Sequence, residues 1–199
     1  MKTMVTILFA VLLLLVAAGL QAAEPAYDCN KASHEIEELI CGNERLAALD
    51  RKMDEVYRQA MKALPENEKK KQKALQRGWI KGRNDCWKAD DRAACVSLEY
   101  DQRITELQII SGQQIVPEPV EYRCDGGKYD SLTAVFYNET QTPAVVLTRV
   151  NASGDDQDIA YLRPSGSGAK YMGNKVEFWT KGKEAMGSWS GKAFKCREL

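Results

Sequence analysis

Ser111-Gly112-Gln113-Gln114-Ile115-Val116-Pro117-Glu118-Pro119 decides how the chain is read. Serine, glycine and two prolines bring turn and breaker chemistry without an apolar period, so the stretch reads as a linker. The hydrophobic period changes across it. Before it, apolar residues recur every three or four positions, as one face of a helix requires. After it come short β-branched or aromatic runs separated by turn residues. The expected organisation is a signal peptide over 1–22, a helical domain over 23–112, a linker over 113–120 and a β domain over 121–199.

On the helical side, Ile36, Leu39, Ile40, Leu46, Leu49, Met53, Val56, Tyr57, Ala60 and Leu64 draw one apolar stripe along a long first helix. Ser33 is its expected N-cap, and Glu35, Glu37 and Glu38 fall in the first turn, where the helix dipole favours carboxylates. Leu64-Pro65 ends it, because proline disfavours a helical residue before it. A second helix carries Leu75, Trp79 and Ile80, and a third Val96, Tyr100, Ile104, Leu107 and Ile110. With a reversal near Pro65, Cys41 and Cys86 fall at similar height on antiparallel helices, which predicts a Cys41–Cys86 bridge and leaves Cys29 to pair with Cys95. On the other side, Tyr122 to Cys124, Leu132 to Tyr137, Ala144 to Val150, Ile159 to Leu162, Val176 to Trp179 and Ala193 to Cys196 predict strands. Their spacing suggests an antiparallel sandwich or small barrel, with a Cys124–Cys196 bridge stapling its modest core.

Met1 and Lys2 precede an apolar run from Val5 to Leu20, followed by Ala22 and Ala23, the pattern of a cleaved secretory signal. The run is shorter than the roughly 20 residues of a membrane span. Cys29 follows Pro-Ala-Tyr-Asp, which does not resemble a lipidation site, so no membrane anchor is expected after cleavage. All six cysteines lie beyond the signal, none in a CxxC pair, as expected of disulfides in an oxidising compartment and not of a zinc or redox site. The chain carries 28 Lys+Arg against 28 Asp+Glu. Such balance lacks the basic excess that displaces counterions from nucleic acid.

Few residues suggest catalysis. The single histidine, His34, sits at a helix start with neither nucleophile nor orienting partner nearby in sequence, so capping or solvent exposure accounts for it. No phosphate loop, nucleophile elbow or metal-ligand cluster is present, and neither an enzyme nor a cofactor is expected. The basic run Lys69-Lys70-Lys71 with Lys73 stands beside Glu66 and Glu68 and reads as a solvated helix face. Asp155, Asp156 and Asp158 form either a polar turn or a patch that steers a cationic partner. Asn138-Glu139-Thr140 and Asn151-Ala152-Ser153 are short sequon matches of little specificity. More informative is Pro164-Ser165-Gly166-Ser167-Gly168-Ala169-Lys170-Tyr171, whose small residues can approach another surface closely. Soon after it, Phe178-Trp179-Thr180-Lys181-Gly182 presents a lysine at a strand end before a glycine. Ordinary hairpin turns would also account for both stretches.

Ser167-Gly168-Ala169-Lys170-Tyr171 and Phe178-Trp179-Thr180-Lys181-Gly182 with Glu184-Ala185 resemble the paired signature of the bacterial membrane-bound (MliC-type) inhibitors of c-type lysozyme and their periplasmic relatives. The resemblance spans about Tyr122 to Cys196; lysine at 170 departs from the arginine common there but keeps the charge. It implies a small antiparallel β-barrel, c-type lysozyme as protein partner, and a binding set of Ser167 and Lys181, with Gly168, Lys170 and Tyr171 supporting the loop. The helical half resembles the LprI-type exported domain in Glu38-Leu39-Ile40-Cys41, Leu46-Ala47-Ala48-Leu49-Asp50, Gln76-Arg77-Gly78-Trp79-Ile80 and Arg83-Asn84-Asp85-Cys86. Its motifs read as structural, with Asp50, Arg77 and Arg83 available for ion pairs inside the bundle. The resulting expectation is α+β in two separate domains, a disulfide-stapled antiparallel helical domain followed by a small antiparallel β-barrel, forming a periplasmic or secreted lysozyme inhibitor. An envelope interaction module working mainly through its helices is the alternative.

Overall fold

The computed structural model describes residues 24–125, 130–151 and 154–199. The signal peptide expected over 1–22 lies outside the described residues, as do Ala152, Ser153 and the side chain of Asn151 in the second sequon. No helix among the described residues is long and apolar enough to cross a membrane.

Among the described residues four α-helices precede the linker: α1 Glu35–Cys41, α2 Glu44–Ala63, α3 Glu66–Asn84 and α4 Arg92–Ile110. The first two occupy the single long helix that periodicity predicts. Gly42 caps α1, and Asn43 starts α2 by accepting a hydrogen bond from the Leu46 N–H on its side chain (3.2 Å). The apolar stripe runs through this break because both pieces turn the same face to the core, which hides the break from a periodicity argument. The N-cap is His34, one residue past the expected Ser33. Its Nδ1 accepts from the Ile36 N–H (3.1 Å), while the Glu37 carboxylate reaches back to the His34 N–H and completes a capping box. The core gathers Ile36 and Ile40 of α1, Met53 and Val56 of α2, and Tyr100 and Ile104 of α4.

The same break corrects two predicted bridges. The disulfides are Cys29–Cys41 and Cys86–Cys95, not Cys41–Cys86 and Cys29–Cys95. Because the chain turns at Gly42, α1 is a separate short helix whose last residue, Cys41, returns to the 3-10 turn Cys29–Lys31 just ahead of it. Cys86 sits in a second 3-10 turn, Asp85–Lys88, and reaches across the short connection to the first turn of α4. Both bridges are local, with separations of 12 and 9 residues.

A buried polar network crosses the bundle. Asp50 of α2 accepts the Tyr100 hydroxyl proton at Oδ1 (2.7 Å) and the Ala26 N–H at Oδ2 (2.8 Å). Arg83 of α3 donates to the Tyr100 hydroxyl (2.8 Å), lies 3.8 Å from Asp50, and stacks its guanidinium on the Trp79 and Tyr100 rings. Of the three charges considered for bundle ion pairs, Asp50 and Arg83 meet, whereas Arg77 is exposed and takes no part.

After the linker, eight strands form a closed antiparallel barrel in simple sequential order, β1 pairing with β8: β1 Val120–Cys124, β2 Ser131–Tyr137, β3 Ala144–Asn151, β4 Gly154–Arg163, β5 Ala169–Met172, β6 Val176–Lys181, β7 Glu184–Trp189 and β8 Lys192–Glu198. β5 and β7 are additions to the six predicted runs. β5 hides behind the Ser/Gly segment, and β7 contains Gly187, which reads as a turn in sequence. In the barrel, Gly187 is a strand residue where a Cβ would overlap the Glu177 carbonyl and meet Phe194 Cζ at 3.1 Å. Cys124 and Cys196 are direct cross-strand partners and bridge the closing seam, as expected. Tyr122, Phe136, Leu147, Tyr171, Phe178 and Phe194 fill the interior.

Alternating strand direction sorts the connections to two ends. The linker, the β2–β3 turn, the β4–β5 loop and the β6–β7 turn share one end, here called the linker end; the other four turns share the opposite end. At the linker end the domains meet: the Thr142 N–H donates to Thr105 Oγ1 of α4 (2.9 Å), the Gln141 N–H to Gln108 Oε1 (2.9 Å), and Gln141 Nε2 to Asp101 (2.8 Å), while Lys52 donates to Gln141 Oε1. Thr105 is fully buried there.

Two outcomes follow for the helical domain. Tyr100→Phe deprives Asp50 and Arg83 of a shared buried partner and is expected to cost about 1–3 kcal/mol in denaturant unfolding; an unchanged midpoint would contradict the network. Burial pushes the Tyr27 hydroxyl up to about 12 and Tyr100 further in the same direction. These groups keep their protons in the folded state and lose them earlier when unfolded, so the stabilisation is complete below about pH 10 and declines as pH rises toward 12. Unfolding midpoints followed by helical circular dichroism across that range should fall; a flat profile would refute the assignment.

Candidate functional site

The β4–β5 loop and the end of β6 come together at the linker end. Gly168 adopts a left-handed conformation (φ 65°), and a Cβ there would overlap the Thr180 carbonyl and lie 3.0 Å from Trp179 Nε1 and 3.1 Å from Lys181 Cβ. Only glycine lets the loop lie this flat against β6. Trp179 then clamps it, donating its indole N–H to the Ser167 carbonyl (2.7 Å). Ser165 closes the loop from the other side, donating its hydroxyl proton to the Gly168 carbonyl (2.9 Å).

This packing sets Ser167 beside Lys181. Together with Trp179, Glu184 and Met186 they line a recess of about 120 Å³. Glu184, the cross-strand partner of Lys181, is held by Arg197 at 2.9 Å. Among the described residues neither Ser167 Oγ nor Lys181 Nζ has a hydrogen-bond or ion-pair partner. The site therefore presents a hydroxyl and an ammonium outward from a braced hairpin pair, with the apolar edges of Trp179 and Met186 alongside.

The other residues expected at the site lie further back. Lys170 points outward from β5 and forms an ion pair with Glu177 of β6 (2.8 Å). Tyr171 is only 4% exposed and packs in the barrel against Phe136 and Phe178, its hydroxyl raised by burial. Both brace the strand that leads out of the loop. The acidic cluster is elsewhere. Asp156 binds Lys175 Nζ (2.6 Å) and Trp189 Nε1 (2.9 Å), and Asp158 accepts from the Lys175 and Val176 N–H groups, so these two pin the β5–β6 turn at the opposite end. The Lys175 ammonium holds Asp156 below the usual carboxylate range, with help from Trp189. Lys70, Lys71 and Lys73 are exposed on α3, and Lys69 pairs with Glu66. In the first sequon Thr140 is buried, its hydroxyl bonded to the Tyr137 and Thr142 carbonyls.

Sequence reasoning missed the clamping role of Trp179, the loop closure by Ser165 and the lining by Met186. An indole followed two residues later by the exposed lysine was the available signal for Trp179. Nothing in sequence pointed to Met186, whose proximity depends on the unforeseen β7.

Comparison with known proteins places each half of the chain beside a family. A family model described as the membrane-bound lysozyme-inhibitor of c-type lysozyme (MliC) matches residues 122–194, and one described as lysozyme inhibitor LprI matches residues 29–110. The chain is 32% identical over 178 residues to Lipoprotein LprI of Mycobacterium bovis and of Mycobacterium tuberculosis, an alignment covering 88% of this chain and 85% of theirs. It is also 38% identical over 65 residues to the membrane-bound lysozyme inhibitor of C-type lysozyme of Cupriavidus necator, covering 33% of this chain and 47% of that protein. Matched along most of both lengths, with the helical and barrel models in the same order as its two domains, the chain belongs to the LprI family.

Proposed function

We propose that the chain is an exported, non-enzymatic inhibitor of c-type lysozyme that enters the catalytic cleft with Ser167 and Lys181. The observation that carries this reading is the pairing of an exposed, unpartnered hydroxyl and an exposed, unpartnered ammonium on a braced loop pair, among the described residues. A lysozyme-type glycosidase uses two carboxylates flanking the sugar-binding cleft, one protonated as general acid and one ionised. An ammonium between them makes charge-assisted hydrogen bonds with the ionised group, and a hydroxyl can donate to one carboxyl and accept from the other. Inhibition then follows from occupancy, because the hairpins stand where the saccharide must bind. Bracing by Gly168 and Trp179 lowers the ordering cost of association. The descriptions of both matching families and the name of the Cupriavidus relative support the choice of partner. The export signal expected from sequence puts the chain in the periplasm or outside the cell, where such an enzyme is met.

Lysozyme inhibition by the wild-type chain and by the double variant Ser167→Ala/Lys181→Ala tests this reading. Loss of the charge-assisted contact is expected to cost on the order of 2–5 kcal/mol in binding. Equal potency would remove the assignment of these residues, and no inhibition by the wild type would remove the function. Gly168→Ala separates loop shape from loop chemistry, since it keeps both contact residues but forces the loop off β6. It should weaken inhibition at least tenfold while costing the barrel roughly 1–2 kcal/mol for the left-handed backbone; full potency would show that the flat loop is dispensable.

A further inference from the structure

We propose that the outer face of α3 docks on an anionic lipid membrane, independently of the site at Ser167 and Lys181. Charge is spread unevenly along the chain. The 19 residues of α3 hold seven Lys and Arg against two Glu, which leaves 21 basic against 26 acidic residues in the rest of the chain. Contacts with α4 fix how the helix is turned. Gln72 and Gln76 accept from Arg103, the Trp79 indole N–H donates to the Glu99 carbonyl (3.2 Å) and Arg83 donates to the Tyr100 hydroxyl, so this row faces the bundle. Lys70, Lys73, Arg77 and Lys81 recur at helical spacing on the opposite side, and all four are exposed. At 1.5 Å of rise per residue they span about 16 Å.

The acids of α3 do not offset this row. Glu66 is taken by Lys69 (2.8 Å), Glu68 is half-buried, and no acid follows it in the helix. Among the described residues, neither the four cations nor the exposed Lys71 beside them has an ion-pair or hydrogen-bond partner. Such a row is drawn to anionic headgroups with about 1 kcal/mol for each Lys or Arg near the surface. The net negative remainder of the chain is repelled, which turns α3 toward the lipid. Apolar side chains favour a membrane over a soluble polyanion. Leu75 and Ile80 flank the row and stay exposed, as does Trp87 in the 3-10 turn that directly follows the helix. Leucine, isoleucine and tryptophan beside basic residues gain from the headgroup boundary, whereas a hydrated polymer offers them no apolar phase. Ala74 and Gly78, exposed among the cations, let the helix lie close to the surface.

Co-sedimentation of the exported chain with mixed phosphatidylglycerol/phosphatidylcholine vesicles, against vesicles of phosphatidylcholine alone, tests the assignment at low ionic strength. Binding is expected to the phosphatidylglycerol vesicles only and should fall as salt is added. Arg77→Gln/Lys81→Gln should weaken it at least tenfold with helical circular dichroism retained. Lys192→Gln/Lys195→Gln removes as much charge from exposed positions on the barrel and should bind as the wild type does. Absence of vesicle binding, binding to both kinds of vesicle alike, full binding by the α3 variant or an equal loss in both variants would each overturn the proposal. Retention of the chain by immobilised polyphosphate without vesicle binding would replace the membrane with a soluble polyanion and overturn it as well.

Discussion

Closure of the barrel at the β1–β8 seam is the constraint from which the rest of the functional half follows. Cys124 and Cys196 face each other there and are joined covalently, so the two strands farthest apart in sequence become neighbours. Once an eight-stranded meander is closed, its connections have no freedom of placement. Alternate turns must share an end, and the linker, the docked turn and the two site loops all fall on the same one. The position of Ser167 relative to Lys181 is then set by the β5–β6 pairing, in which Ala169 lies opposite Thr180 and Lys170 opposite Trp179. A one-residue slip would turn Trp179 inward and dissolve the clamp on the loop.

The helical domain uses a different device. Its apolar stripe is split between the short α1 and the long α2, and the polar groups crossing its core would be costly to bury alone. Asp50, Tyr100 and Arg83 answer one another, and no buried side-chain polar atom among the described residues lacks a partner. The Ala26 N–H joins the same network, so the segment leading into the bundle is tied to its centre and not left loose on its surface.

Much of this was legible in the residues and some was not, for identifiable reasons. The change of period around Ser111–Pro119 separates helices from strands because periods of 3.6 and 2 are geometric properties of the backbone. The loop pair was legible through composition and resemblance together. Hidden features were those that depend on a contact distant in sequence. Gly187 reads as a turn because its reason for being glycine is the close approach of β6 and the Phe194 ring, seen only in the folded barrel. The break at Gly42-Asn43 is masked because the stripe continues across it, and the cysteine pairing went wrong with it. Asp155, Asp156 and Asp158 look like a steering patch until the barrel brings Lys175 and Trp189 to Asp156.

The three bridges join the first cysteine to the second, the third to the fourth and the fifth to the sixth. A chain that emerges from its N-terminus into an oxidising compartment therefore offers each correct pair in order, before the next cysteine competes. An oxidase joining thiols as they appear reaches the native set with no wrong bridge to undo, and disulfide reshuffling, one of the slow events in folding secreted domains, drops out of the pathway. Neither half's covalent framework has to wait for the other, so the interface at Thr105 and Thr142 is assembled from two parts already locked in shape.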